Sequence, residues 1–249
     1  SLRQSLMLND AITLQKRKLE SANINKDRIL NVVAHDVRSP IGAIANFLDI
    51  LIVKYEHSAD EKKILEASRD AAFRSLNLIG DLLEFNTIQS GELTLYKTPT
   101  DIVSLIKKAI EQIEYKTISK EQSIRFTTDA DKCFIKIDAE KIQRVLANLL
   151  DNAIKFSHTK GVIEVHVGKT KERVTIEIKD HGLGIPDEIK DNLFDVSFVS
   201  KKRSGTGNEA SNGLGLSICK QIIEVHQGNI LVNSIAGKGS VFIIELPFV

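Results

Sequence analysis

Asn148-Leu149-Leu150-Asp151-Asn152-Ala153-Ile154-Lys155-Phe156-Ser157 decides the fold of this chain. The stretch closes a helical pattern that begins at Ala139. Asn148 and Asn152, four apart, stack on one face of that helix, with Lys155 and Phe156 at its end. Asn is a poor helix former, so two of them one turn apart point to a task. Amide oxygens can ligand a magnesium ion, and an ammonium can meet phosphate. Taken alone, the pair is equally a core hydrogen bond or a polar face. Outward from this helix, strand-like runs lie at Leu93 to Lys97, Ser123 to Thr127, Phe134 to Ile137, Val162 to Gly168 and Val174 to Lys179. A second helical pattern covers Ile102 to Ser119, a third follows Gly213 and reaches His226, and two strands close the chain at Asn229 to Ser234 and Ser240 to Leu246. Interleaved helices and strands predict an α+β arrangement: an α/β sandwich with helices layered on a mixed sheet.

Two glycine-bearing turns flank the later helices. Asp180-His181-Gly182-Leu183-Gly184-Ile185-Pro186 follows a strand. Its alternate glycines let backbone bend closely around a flat ligand, and Asp180 can accept a hydrogen bond from an exocyclic amine. A plain turn has the same composition. Asn212-Gly213-Leu214-Gly215-Leu216 opens a helix, where free N–H groups and the helix dipole favour phosphate. Between them, Ser200 to Asn212 reads as a long polar loop carrying Lys201, Lys202 and Arg203. Gly205-Thr206-Gly207 has no apolar period behind it and is read as a decoy rather than a phosphate cradle.

Before Gly91 the pattern is wholly helical. Leu30, Val33, Val37, Ile41, Ile44, Leu48 and Leu51 fall at steps of three and four, as do Leu65, Ser68, Ala72, Leu76, Ile79 and Leu83, with a turn at Glu56 to Asp60. Two such helices bury their stripes better in a four-helix arrangement, so a homodimer is expected. His35 points roughly 160° away from the first stripe and should face solvent, beside Asp36 and one turn before Ser39. By itself this is a surface histidine on a charged face.

With 34 Lys and Arg against 33 Asp and Glu, the net charge of +1 provides no global field for nucleic acid or an acidic membrane. Cys133 and Cys219 are too few for a disulfide framework and fit a reducing, cytoplasmic compartment. The apolar run Ile41 to Val53 is broken by Asn46 and Asp49, too short to span a bilayer, and no direct membrane contact is expected. The chain opens on Ser1 with no leader pattern, as expected of a piece of a longer protein.

The four motifs in this order, with these intervals, resemble the catalytic portion of a sensor histidine kinase of a two-component system. Ala34-His35-Asp36-Val37-Arg38-Ser39-Pro40 is similar to that family's H box and Asn148 to Ser157 to its N box. Asp180 to Gly184 resembles the G1 box, and Gly213 to Leu216 the G2 box. The resemblance implies three parts: an incoming signalling helix (1–24), a dimerisation and phosphotransfer domain (25–91) and a Bergerat-type ATP-binding domain (92–249). It implies autophosphorylation of His35 from ATP, with Asp36 bonding its ring and accepting a proton, followed by transfer to an aspartate on a response-regulator receiver domain. Asn152 would hold Mg²⁺, Asn148 would assist, Lys155 would neutralise phosphate charge, and Phe156 would pack near adenine or ribose. Asp180 would take the adenine amino group, with Gly182, Gly184 and Ile185 shaping the pocket. Gly213, Leu214, Gly215 and Leu216 would form the phosphate cradle, and Phe194 to Asn212 the lid.

The sequence departs from the family at three places. Ser211-Asn212 precede Gly213 where Gly-Thr is usual, Ser197 replaces a common aromatic, and Ser39 stands at the phosphatase position where many relatives have Thr or Asn, which leaves that activity undecided. The related ATPases of the gyrase, Hsp90 and MutL group place a Glu four residues before the metal-binding Asn. Here Asn148 stands there, so a kinase is favoured over a hydrolase or a catalytically silent nucleotide-binding module.

Overall fold

The computed structural model describes residues 15, 30, 32–90, 93–195, 206 and 214–248. The chain divides into two compact units, Ser1–Glu92 and Leu93–Val249.

The first unit is a helical hairpin of α1 (residues 32–54) and α2 (Ala59–Gln89). A capping box starts α2: the Ser58 hydroxyl accepts from the Glu61 N–H, while the Glu61 carboxylate accepts from the Ser58 N–H at 2.8 Å. The turn therefore ends at Ser58, within the stretch the sequence predicts. Ala34, Ala45 and Ala72 are buried inside the hairpin, and Ile41, Leu48 and Ile52 are half-buried. One residue round the helix, a second set remains exposed: Val33 (52%), Val37, Ile44 (52%) and Phe47 (65%). The single predicted stripe is thus two adjacent faces, one folded against α2 and one uncovered in a single chain.

The second unit carries a five-stranded sheet in the order β2-β4-β5-β7-β6. Its strands are β2 (Ser123–Thr128), β4 (Val162–Lys169), β5 (Arg173–Asp180), β6 (Asn229–Ile235) and β7 (Gly239–Pro247). The β2/β4 pair is parallel and the others antiparallel, so the sheet is mixed as expected. The helices α3 (Ile102–Ile113), α4 (Ala139–Phe156) and α6 (Gly215–Val225) pack in a layer, with α4 between α3 and α6 and against β5, while the single turn α5 (Asp187–Lys190) follows β5 in the chain. Along α4, Ile142, Val145, Leu146, Leu149, Leu150 and Ala153 are buried, the spacing of a helix face about 140° wide. On β5 the alternation buries Val174, Ile176, Ile178 and finally Asp180. The strand period that builds the core therefore also drives one carboxylate into it.

Two elements differ from the sequence reading. Residues 93–97 form no strand, and β1 is Thr98–Asp101, antiparallel to β3 (Phe134–Ile137) with Thr98 opposite Ile137. The Tyr96 N–H instead donates to Asp138 Oδ2 at 3.0 Å. Pairing, rather than local alternation, decides where the strand starts. The helix expected to reach Ser119 stops as α-helix at Ile113 and continues as a 3₁₀ turn, Glu114–Lys120. Thr117 Oγ1 donates to the Glu114 carbonyl at 2.7 Å, and Glu121 closes the turn with φ 51°. With no glycine there, Glu121 itself takes the left-handed position and the end is tightened into the 3₁₀ turn.

Cys133 and Cys219 are buried and form no disulfide, and burial pushes the Cys133 thiol above its usual range. No helix among the described residues is long and apolar enough to cross a membrane.

Candidate functional site

In the first unit, His35 faces solvent, as its helical phase predicts, with its side chain 81% exposed. Its Nδ1 lies 3.4 Å from Asp36 Oδ1. A carboxylate on Nδ1 favours a proton there and leaves Nε2 as the bare, nucleophilic nitrogen. Ser39 is exposed on the same helix.

In the second unit, α4 supplies the polar face that its spacing predicts. Asn152 Nδ2 donates to Asn148 Oδ1 at 3.1 Å. That fixes the orientation of the Asn152 amide and leaves its Oδ1 as the group able to meet a hard cation. Both residues are half-buried. Lys155 is only 8% exposed, and its Nζ lies over the Phe156 ring, 5.3 Å from the centroid. Asp180 is buried at the end of β5, where Oδ1 accepts from the Gly182 N–H at 3.0 Å. Burial pushes its carboxyl above the usual range, opposed by hydrogen bonds from Gly182 and Ser240.

The turn after Asp180 is held so closely that glycine is obligatory at two places. A Cβ at Gly182 would lie 1.8 Å from the Phe156 carbonyl oxygen, which accepts the Leu183 N–H at 3.1 Å. At Gly184, φ is +61° and a Cβ would lie 2.0 Å from the Ile235 oxygen. Ile185 is buried, and its N–H donates to Ser234 Oγ at 2.8 Å. The loop is thereby sewn to the end of α4 on one side and to β6 on the other. Gly182→Ala is expected to destabilise the second unit by about 1–3 kcal/mol and to weaken nucleotide binding in parallel. Urea unfolding and calorimetric titration of the same sample check this.

Leu214, Gly215 and Leu216 start α6, where a Cβ on Gly215 would lie 2.2 Å from Asn148 Nδ2. Phe194 is half-buried. Gly213, Ser197, Lys201, Lys202, Arg203 and the flanking residues of the proposed lid lie outside the described residues. Within that stretch Thr206 is described. Its N–H donates to the Lys155 carbonyl at 3.1 Å, and Oγ1 donates to the Ser157 carbonyl at 2.7 Å.

Two side chains the sequence reading passed over converge at the same helix end. Gln122 Nε2 donates to the Ile154 carbonyl at 3.0 Å, and Lys120 Nζ to the Lys155 carbonyl at 2.9 Å and to Thr206 Oγ1 at 2.8 Å. Together with Thr206 they satisfy carbonyls left open by the last turn of α4. Their partners lie 30 or more residues away, so no local pattern announces them.

The geometry matches what comparison with known proteins finds. Residues 25–91 match the His Kinase A (phospho-acceptor) domain, and residues 137–249 match the family of Histidine kinase-, DNA gyrase B-, and HSP90-like ATPases. The catalytic domain of the histidine kinase ThkA is 31% identical, with a TM-score of 0.54 over 61% of this chain and 95% of that one. The chain belongs to the histidine kinase family. Another member, the adaptive-response sensory kinase SasA of Synechococcus sp. (strain JA-3-3Ab), is 34% identical over 227 residues. That match covers 89% of this kinase-family chain and 59% of SasA, so the chain spans about three-fifths of that relative's length. The structure of ThkA in complex with the response regulator protein TrrA aligns with a TM-score of 0.63 at 26% identity, covering 89% of this histidine kinase chain and 61% of that one.

Proposed function

We propose that this chain is the catalytic portion of an ATP-dependent protein-histidine autokinase that phosphorylates His35. The observation that carries the reading is the pairing of two features in one chain. One is a solvent-facing imidazole with a carboxylate beside it. The other is an α4 polar face whose residue at 148 is an amide. Asp151, the carboxylate of α4 beside this pair, is tied to Lys116 at 2.6 Å. With no positioned base on this face among the described residues, attack by an external nucleophile is favoured over activated water.

The residues fit an adenine nucleotide with a divalent ion. Asp180 is a buried acceptor at the end of a strand, Asn152 keeps an amide oxygen for a hard cation, and Lys155 sets a positive charge next to the phosphate path. Mg²⁺, when bound, would neutralise charge on the phosphates; Asn152 would hold it, with Asn148 fixing the Asn152 amide. Asp180 would accept the exocyclic amine, and the start of α6 at Leu214 to Leu216 would donate N–H groups to phosphate. His35 would attack the γ-phosphorus through Nε2. A P–N bond forms, the P–O bond to the β-phosphate breaks with its electron pair leaving on ADP, and Asp36 stabilises the imidazolium through Nδ1–H.

The complex of ThkA with a response regulator supports the next step. There a receiver-domain aspartate would attack phosphohistidine, breaking the P–N bond and regenerating His35 with an acyl phosphate on the partner. The exposed Val33, Val37, Ile44 and Phe47 support a homodimer through the hairpin, because a second copy of the same face would cover them. Two buried cysteines that form no disulfide support a cytoplasmic setting. Incubation with γ-labelled ATP and Mg²⁺ tests the reading. Acid-labile, base-stable label is expected on the wild type and is reduced at least about tenfold in Asn152→Ala. Steady phosphate release without protein label would identify a hydrolase instead.

A further inference from the structure

His226 is buried at the C-terminal end of α6, 3% exposed, and has no role assigned above. Its Nδ1 is 2.7 Å from the Ile222 carbonyl, which can only accept, so Nδ1 carries the proton. Its Nε2 is then bare and accepts the backbone N–H of Asp138 at 3.1 Å. Asp138 caps α4, with Oδ1 accepting from the Lys141 N–H at 3.2 Å and Oδ2 from the Tyr96 N–H at 3.0 Å. One neutral imidazole therefore clasps the C-cap of α6 to the N-cap residue of α4. At the other end of this antiparallel pair, Gly215 lies directly against the Asn148 side chain. Ten residues of α4 separate Asp138 from Asn148 and eleven of α6 separate Gly215 from His226. At the helical rise these are about 15 and about 16 Å, so the two contacts are matched ends of one register.

We infer that His226 is a positioning residue: by clasping Asp138 it fixes how α6 slides along α4, and so sets the start of α6 against Asn148 and Asn152. The inference rests on the nucleotide reading of that pocket. The clasp needs the uncharged ring, because a second proton would set two N–H donors face to face. Burial, with the Lys97 ammonium, holds the imidazole pKa below its usual value, against the Ile222 carbonyl and the Asp138 carboxylate. As pH falls through the ordinary histidine range the unfolded chain takes up the proton first. The stabilisation is complete above about 6.5 and is lost toward the lower folded value.

The test is affinity for a non-hydrolysable ATP analogue with Mg²⁺, read beside the Asn148 side-chain amide resonance in the nucleotide-free chain. His226→Leu, at a temperature where circular dichroism shows it folded, is expected to bind about tenfold more weakly and to shift the Asn148 resonance. His226→Gln, which keeps an acceptor for Asp138, is expected to bind within about threefold of wild type. In the wild type, ring nitrogen shifts are expected to show the neutral Nδ1–H tautomer, and the Asn148 resonance to move in step with protonation of His226. A His226→Leu chain that melts lower but binds normally, with Asn148 unmoved, would reduce His226 to a structural core residue. An Nε2–H tautomer, or ring titration without movement at Asn148, overturns the inference even if His226→Leu fails to fold. A wild type that binds no nucleotide instead removes the nucleotide reading, while the Asn148 resonance of the free chain still decides the clasp.

Discussion

His35→Gln is expected to take up no phosphoryl group, at least about a thousandfold below wild type, while binding nucleotide with unchanged affinity. Gln matches the polarity and approximate size of histidine, but its amide nitrogen has no available lone pair, so no P–N bond can form. The side chain is 81% exposed, so its loss opens no cavity and removes no core contact. Among the described residues its close polar partner is the neighbouring Asp36 at 3.4 Å, and the nucleotide pocket belongs to the other compact unit. Label incorporation and analogue binding should therefore separate completely. A variant losing both would mean that the hairpin supports the pocket, and one losing neither would make His35 an ordinary surface histidine.

Asp180→Asn is expected to separate stability from binding in the opposite direction. The carboxylate is buried, and burial raises its pKa, so the folded chain holds the proton more tightly than the unfolded one. Such a group contributes fully below the unfolded pKa, about 4, and costs stability as pH rises through the folded value. At neutral pH the wild type carries that cost and the amide does not. The melting temperature of Asp180→Asn should therefore equal or exceed that of wild type at pH 7, with the difference closing as pH falls below about 4. Binding moves the other way. The amide replaces a charged acceptor and can present a donor to a donor, and a hydrogen bond to a charged group contributes about 1.5–3 kcal/mol, so affinity should fall about 10–100-fold. A binding site held at a cost to folding has this signature; a purely structural aspartate would lose stability and affinity together.

The second unit's central helix was legible because its cause is local. From Ala139 to Phe156 the apolar residues keep a single helical face, and the helix observed has the bounds predicted. The exposure of His35 and the stacking of Asn148 on Asn152 follow from the same periodicity. Long-range pairing is what the chain hides. Residues 93–97 alternate like a strand, yet the ladder opposite Phe134–Ile137 begins only at Thr98. The two faces of α1 looked like one stripe, because the sequence does not mark which apolar side chains the same chain covers. Thr206, read as a decoy, reaches carbonyls some 50 residues upstream. The clasp between His226 and Asp138 joins residues 88 apart; a lone histidine after a helix says nothing of its partner.

The central claim is that this chain places a phosphoryl group on one imidazole, and mapping the modified residue tests it most directly. After incubation with ATP and Mg²⁺, the chain would be digested at alkaline pH, where phosphohistidine survives, and the phosphorylated peptide fragmented. The phosphoryl group is predicted on His35 alone. Finding it on Ser39, on another side chain, or on no residue despite ATP turnover would contradict the account.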